Sequence, residues 1–392
     1  MPIYHTLGQI PRKRHIALRK PDGHVYNEQL MGNKGFTGPS SLLYHISPPT
    51  ALKSVKEFKD VRLEADTNER ALKHRHLRTS QIKPGGSPIV DRTPLLFNSD
   101  CAMYFVQPTE NEERFYRNAM GDEVVYVSDG SGVLESQFGD LPYKPGDYLV
   151  IHRGILHRYR MDDVPHKLLV MESRGYIRFP KRYVNEVGQL VEGAPFSERD
   201  MRRPLELVTH DEQGEFPLLV KQYDSLHEVV LGHHPCDVVG WDGYYYPWAF
   251  NIHDFEPITG TIHQPPPIHQ TFQGDGFVIC SFCPRPYDFH PEAIPAPYNH
   301  SNVMSDEVLY YASSEFMSRK GIEYGSITLH PDGIPHGPHP GRYEASIGAE
   351  RTDELAVMMD TFKPLKVAKQ ASKIEDHEYH KSWLNSTDTT GG

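Results

Sequence analysis

The sequence predicts a mainly β protein of two jelly-roll barrels, an N-terminal one that is degenerate and a C-terminal one that binds metal. Three observations carry this expectation. The 392 residues include 33 prolines, 31 glycines and 22 tyrosines, which favours short strands joined by turns over long helices. Short apolar or aromatic runs recur along most of the chain between turn signals such as Asp129-Gly130 and Gly139-Asp140, the spacing of sandwiches and barrels. One pair of motifs occurs twice, and only the second copy carries a full set of metal-ligating side chains.

Residues 1–90 form an extended N-terminal segment, punctuated by Gly32, Gly35, Gly38 and Pro39. It is too long for a free loop and is expected to pack against the first barrel or a neighbouring subunit. Its basic residues, Arg12 to Lys20 and His74-Arg75-His76, read as solvated or subunit-contact surface. The β pattern begins near Pro94 and runs through 95–97, 102–106, 124–127, 148–151 and 168–171. The charged, turn-rich stretch 188–211 is the expected linker, and the division falls between 200 and 201. Strand patterns resume at 216–220, 238–239, 277–282, 308–311, 327–329 and 355–359. The polar tail from about 385, ending NSTDTTGG, is expected to be disordered.

Composition narrows the function classes. A net charge of −11 argues against a nucleic-acid partner. No charged-then-apolar leader stands in the first thirty residues, and no apolar run approaches the ~18 residues of a membrane span, so the expectation is a cytoplasmic protein without a membrane partner. Four cysteines do not make a disulfide scaffold in a chain this long, and the lone Cys280/Cys283 pair in an apolar run reads as partly buried reduced thiols.

The repeat carries the chemistry. Met120 to Tyr126 reads MGDEVVY, and Met304 to Tyr310 reads MSDEVLY. Downstream, Gly146 and His157 stand eleven positions apart (157 − 146), as do Gly325 and His336 (336 − 325), each pair with a second glycine, Gly154 or Gly333, three residues before the histidine. This is the pattern of cupins, in which one motif supplies histidine and glutamate and a second supplies the last histidine. Alternate residues of a strand share a face, so ligands on neighbouring strands can converge inside a barrel. His300, Glu307 and His336 then form two imidazoles and a carboxylate, a set that leaves coordination positions open and suits non-haem Fe(II). His300 precedes Glu307 by seven (307 − 300), while Tyr116 precedes Glu123 by seven (123 − 116), so the N-terminal barrel is read as having lost its metal. Asp306 and Glu307 are adjacent and the repeat does not choose between them, since Asp122 and Glu123 are both present; the longer reach of glutamate favours Glu307. His233, His234, His290 and His339 read as exposed side chains.

Further segments join these. YNEQLMGNKGFTGP (26–39), VVGWDGYYYP (238–247), PYNHSN, IPHGPH and HEYHKSW (377–383) together resemble the homogentisate 1,2-dioxygenase family, in its shorter bacterial-type form, over most of the chain. The resemblance implies an Fe(II) enzyme that opens the ring of homogentisate with O2 to give maleylacetoacetate in tyrosine and phenylalanine catabolism. It implies a two-domain β protein assembled as trimers, often paired into hexamers. It also implies His300, Glu307 and His336 as iron ligands, and His263, in the context HQPPPI, as the acid–base histidine that takes a proton from the ring hydroxyl. Imidazole suits that role because its unperturbed pKa is ~6.5; His269, six residues on, is the rival. His330 matches a family histidine that contacts substrate, with a place behind the ligands equally open, and Asn302 is expected to orient the site.

Two departures stand out. The family's histidine-to-glutamate spacing is one residue shorter, which keeps Asp306 in play. Nine residues after Glu307 (316 − 307) the family places a substrate-contacting tyrosine, and this chain has Phe316. A missing hydroxyl there shifts which side chain the ring carries. The competing readings are a dioxygenase for another 2,5-dihydroxy aromatic such as gentisate, and a non-redox bicupin that binds a ligand or isomerises a sugar.

Overall fold

A computed structural model describes residues 3–313, 316 and 318–384; the tail expected to be disordered lies outside them. Among the described residues the fold is mainly β with one α-helix, Arg342–Ser346, and no helix is long and apolar enough to cross a membrane.

The first barrel is built on two seven-stranded sheets. One runs, in spatial order, Trp248–Asn251, Asp147–Ile151, Asp122–Asp129, Lys167–Ser173, Cys101–Val106, Thr93–Phe97 and Lys366–Val367. Its central runs are apolar at nearly every position because both faces are covered: Val124, Val125 and Val127 are fully buried, as are Leu168, Leu169 and Val170. The other sheet runs Leu141–Tyr143, Gly132–Ser136, His157–Met161, Phe115–Asn118, Gln213–Gln222, Ser225–His233 and Leu52–Asp60. Both sheets contribute to one core. The N-terminal segment packs on this barrel as expected, its strands His5–Gly8, Asn27–Gly32 and Ser40–His45 forming a four-stranded sheet with Val238–Gly243.

That pairing moves the division expected at 200/201. The strands between 213 and 251 hydrogen-bond into the first barrel's sheets, Gln213–Gln222 lying parallel to Phe115–Asn118 and Trp248–Asn251 antiparallel to Asp147–Ile151. Nor is 188–211 a free linker: Phe196 and Met201 are buried, and Arg202 exchanges backbone hydrogen bonds of 2.8 and 2.9 Å with Ala249.

The second barrel is a six-stranded sheet in the order Gln270–Gln273, Phe277–Phe282, Ala356–Thr361, Asp306–Tyr311, Ser326–His330 and Arg75–Arg78. The last strand comes from the N-terminal segment and pairs residues 75–78 with 326–329. The basic run His74-Arg75-His76 is therefore buried, not surface. Its charge is neutralised locally, with Arg75 Nη1 donating to both oxygens of Glu375 at 2.8 and 2.9 Å and Arg78 donating to Asp376 at 2.6 Å. In exchange, Lys366–Val367 pairs with Thr93–Phe97 in the first barrel. Each barrel thus covers an open strand edge with a piece from the other half of the chain.

Left-handed turns occur at matching places in the two copies, Gly146 (φ 87°) and Gly325 (φ 81°), where a side chain would be strained. All four cysteines are free and buried.

Candidate metal centre and active site

Glu307 lies on the strand Asp306–Tyr311, which pairs with Ser326–His330 and places Glu307 opposite His330. His300 and His336 sit in flanking loops tied by reciprocal backbone hydrogen bonds of 2.8 and 2.9 Å. The ligand atoms of His300, Glu307 and His336 all lie within 4.8 Å of one another. His300 Nε2 stands 3.6 Å and His336 Nε2 3.2 Å from the same oxygen, Glu307 Oε2.

The ring orientations fit a metal. His300 Nδ1 lies 3.1 Å from the carbonyl of Tyr298, which can only accept, so Nδ1 carries the proton and the Nε2 lone pair faces the carboxylate. His336 is buried, yet neither ring nitrogen has an aligned hydrogen-bond partner. A buried imidazole left this way is costly unless something completes it. Burial alone would raise the Glu307 carboxyl, but the three histidines that face it, with His330 donating a hydrogen bond, outweigh burial and hold the group ionised, well below the usual range. The residues present therefore fit a divalent metal held by two neutral histidines and one carboxylate.

The same geometry separates Glu307 from Asp306. Asp306 accepts from the backbone N–H of Asp332 at 2.8 Å and of Leu365 at 2.7 Å, so its carboxylate is spent on loops outside the cluster. Its counterpart Asp122 does the same, accepting from Arg153 N–H at 2.9 Å and Ile177 N–H at 2.9 Å. The aspartate of each motif ties loops and the glutamate faces inward, as strand alternation requires.

Around the ligands stands a supporting layer. His330, fully buried, donates Nδ1 to Glu307 Oε1 at 2.7 Å and leaves Oε2 for the ligand cluster. Burial and the nearby Arg319 push its pKa down to about 3, so this is a hydrogen bond from a neutral ring, not an ion pair. Its Nε2 lies 3.5 Å from the Tyr379 hydroxyl, and Trp383 Nε1 donates to Gly337 O at 3.0 Å. These contacts give the C-terminal HEYHKSW element a place against the site. His74, on the strand lead-in from the N-terminal segment, packs its ring 5.4 Å from His330.

A cavity of about 130 Å³ opens beside the cluster, lined in part by His263, His269, His300, Glu307, Phe316 and Arg319. His263 is exposed at its rim, its Nδ1 3.6 Å from Asp288 Oδ2, and its ring meets Tyr298 at 5.3 Å. His269 is buried against Phe282, ring centroids 4.5 Å apart, and burial, aided by Arg285, drives its pKa well down. Phe316 lines the cavity, 5.0 Å from the Tyr311 ring. His330 and Asn302 are not among the lining residues. Of the histidines expected to be exposed, only His290 is. His233 and His234 are buried beneath the strand end at Ser225–His233, and His339 is buried between Lys320 N–H (2.7 Å) and Ser382 Oγ (2.8 Å).

The matching point of the first barrel holds a cation of the protein's own. Glu123 accepts from Arg92 Nη1 at 2.9 Å, Tyr116 Oη at 2.7 Å and Asn118 Nδ2 at 3.0 Å. Tyr116, standing where the second copy has His300, spends its hydroxyl on that carboxylate.

Metal affinity of the second cluster should fall with acidity. Hydrogen bonding to Glu307 raises the His300 pKa above 6.5, and a metal must displace that proton. Below that value affinity is expected to drop by about tenfold per pH unit. Competition titrations between pH 5 and 8 read this directly; a flat profile contradicts the assignment of His300 as a ligand.

The homogentisate 1,2-dioxygenase N-terminal family matches residues 6–252 and the corresponding C-terminal family matches 254–389. That junction falls where the sheets divide. The "Putative dioxygenase SSO1533" of Saccharolobus solfataricus is 42% identical over 389 residues, covering 98% of this chain and 100% of that protein. Homogentisate 1,2-dioxygenase of Nitrobacter hamburgensis is 25% identical over 96% of this chain and 90% of its own length. Among solved structures, a cupin 2 conserved barrel domain protein from Leptotrichia buccalis aligns with a TM-score of 0.35 at 11% identity, over 78% of this chain and 100% of that one. With both halves matched end to end, the chain belongs to the homogentisate 1,2-dioxygenase family and is a dioxygenase of the ring-cleaving kind.

Proposed function

We propose that the protein opens the ring of homogentisate with O2 to give maleylacetoacetate, using Fe(II) held by His300, Glu307 and His336. The observation that carries this reading is the pair of imidazole nitrogens facing one ionised carboxylate oxygen at the edge of a cavity that also holds two further histidines. Iron bound there supplies vacant positions for both reactants and a path for electron density from ring to oxygen.

The chain's own groups do the rest. His263 takes the proton of a ring hydroxyl at Nε2, since Nδ1 faces Asp288 and the imidazolium that forms is stabilised by that carboxylate. His330 fixes which oxygen of Glu307 is presented. Phe282 and Phe316, ring centroids 6.1 Å apart, offer apolar walls to an aromatic ring. Among the described residues Asn302 is not one of those lining the cavity, and a role for it rests on the family resemblance alone. Assembly into a homo-oligomer is part of the same reading; the edge strand Leu52–Asp60, with Val55 58% and Phe58 40% exposed, offers a face for it.

Purified protein loaded with Fe(II) under ascorbate should take up one O2 per homogentisate and form the ring-opened acid. A panel containing gentisate and alkylated hydroquinones decides the substrate, because Phe316 leaves that second reading open. Uptake with gentisate alone replaces the substrate; no uptake with any member, at one iron per chain, removes the enzyme reading.

A further inference from the structure

Two guanidinium groups line the cavity, and they are partnered differently. Arg285 donates Nη2 to Glu354 Oε1 at 2.7 Å, both side chains being nearly inaccessible, so its charge is already met. Arg319 is 5% exposed, and among the described residues no carboxylate lies within ion-pair distance of it. Its Nη1 donates to neutral acceptors, Gly337 O at 2.8 Å and more weakly Ser318 O and Oγ at 3.4 and 3.3 Å. Among the described residues its Nε has no hydrogen-bond partner, the group interacts with the neutral Tyr311 hydroxyl, and its face lies 5.9 Å from the Trp383 ring.

Burial works against this charge and the only carboxylate acting on it, Glu307, does so from beyond ion-pair distance, so a guanidinium facing neutral acceptors gains most when an anion arrives. The other charges nearby are committed: Glu307 to three histidines, Glu354 to Arg285, Asp288 to His263. Phe282 and Phe316 contribute no donor. The planar fork of arginine matches the geometry of a carboxylate.

We propose that Arg319 binds the carboxylate of the substrate's acidic arm, and thereby selects a hydroquinone carrying a short carboxylate side chain over a neutral one. This rests on the proposed function for the identity of the ring, but the anion subsite stands on Arg319 itself.

The test compares wild-type, Arg319→Gln and Arg319→Lys holoenzymes. Gln can keep a donor toward Gly337 O without the charge, and Lys keeps the charge without the fork. For Arg319→Gln the KM for homogentisate should rise roughly tenfold to a hundredfold while that for methylhydroquinone stays within about twofold, and Lys should recover part of the loss. Calorimetric titration with phenylacetate, which has the carboxylate arm and no ring hydroxyl, should show the same loss without any turnover. Equal loss for the acidic and neutral rings marks a merely structural residue and overturns the proposal, as does unchanged phenylacetate affinity in Arg319→Gln. If Arg319→Gln does not fold, wild type must bind phenylacetate at least about tenfold tighter than benzyl alcohol, with Arg319→Lys intermediate; equal affinities overturn it. Arg319-dependent phenylacetate binding in a protein inert toward every hydroquinone supports the subsite and removes the proposed function instead.

Discussion

Glu307→Gln should lower bound iron from about one per chain to less than roughly a tenth and cut homogentisate-dependent O2 uptake by at least about 10³-fold. His336→Ala should do the same. The amide keeps the shape of the carboxylate and can still meet His330, but it removes the only anion among the three candidate ligands and with it most of the attraction for a divalent ion. Asp306→Asn is the control. Its carboxylate receives two backbone N–H groups and no ligand histidine, so the variant should lose stability, by about 1–3 kcal/mol, and keep its iron. Metal analysis beside an oxygen electrode separates the two carboxylates; a Glu307→Gln protein with full iron and an Asp306→Asn protein without it would reverse the assignment.

The second large effect is expected in the barrel that holds no ligand set. Arg92→Ala leaves Glu123 buried with only neutral donors, and should cost about 3–5 kcal/mol. For a chain of this size that is a fall in melting temperature of roughly 5 °C. The iron content of the second barrel should not change. Burial works against the Glu123 charge, yet Arg92, His157 and the hydrogen bonds from Tyr116 and Asn118 bring its pKa down to about 2. A carboxyl depressed in the folded state contributes stability above its ordinary value of 4.5, and that contribution is lost as pH falls toward 2. The Arg92→Ala penalty should therefore shrink in acid. Replacing both partners, Arg92→Met with Glu123→Leu, should recover much of the loss, because the uncompensated charge is then gone. Calorimetry checks all three; a single variant within about 0.5 kcal/mol of wild type would show that the guanidinium does not stand in for a metal.

Several strands were legible in the chain because their runs are apolar at nearly every position: 124–127 and 168–171 fall inside Asp122–Asp129 and Lys167–Ser173, and 308–311 inside Asp306–Tyr311. The strand Ser225–His233 was missed, since its polar residues alternate with apolar ones over an edge-proximal, half-exposed position. The cluster of His300, Glu307 and His336 was legible through the repeat, as was the presence of Tyr116 where the second copy has His300.

Other parts left no local signal. Arg75–Arg78 reads as surface because its charges are visible and their partners, Glu375 and Asp376, lie some three hundred residues away in sequence. Arg319 sits in an irregular stretch, and what distinguishes it from Arg285 is that, among the described residues, no carboxylate lies within ion-pair distance of it. Asp288 behind His263, and Tyr379 behind His330, are likewise pairings across separate segments.

From the chain alone came the β class, the two-copy architecture and the three side chains that converge, because alternation, glycine turns and motif spacing are local properties that survive without a fold. The tertiary structure decided that Glu307 and not Asp306 faces the histidines, that the first barrel extends to about 252, and that each barrel borrows an edge strand from the other half. Those outcomes depend on which groups meet across long sequence separations, and a buried charge or an open strand edge finds its partner only in three dimensions.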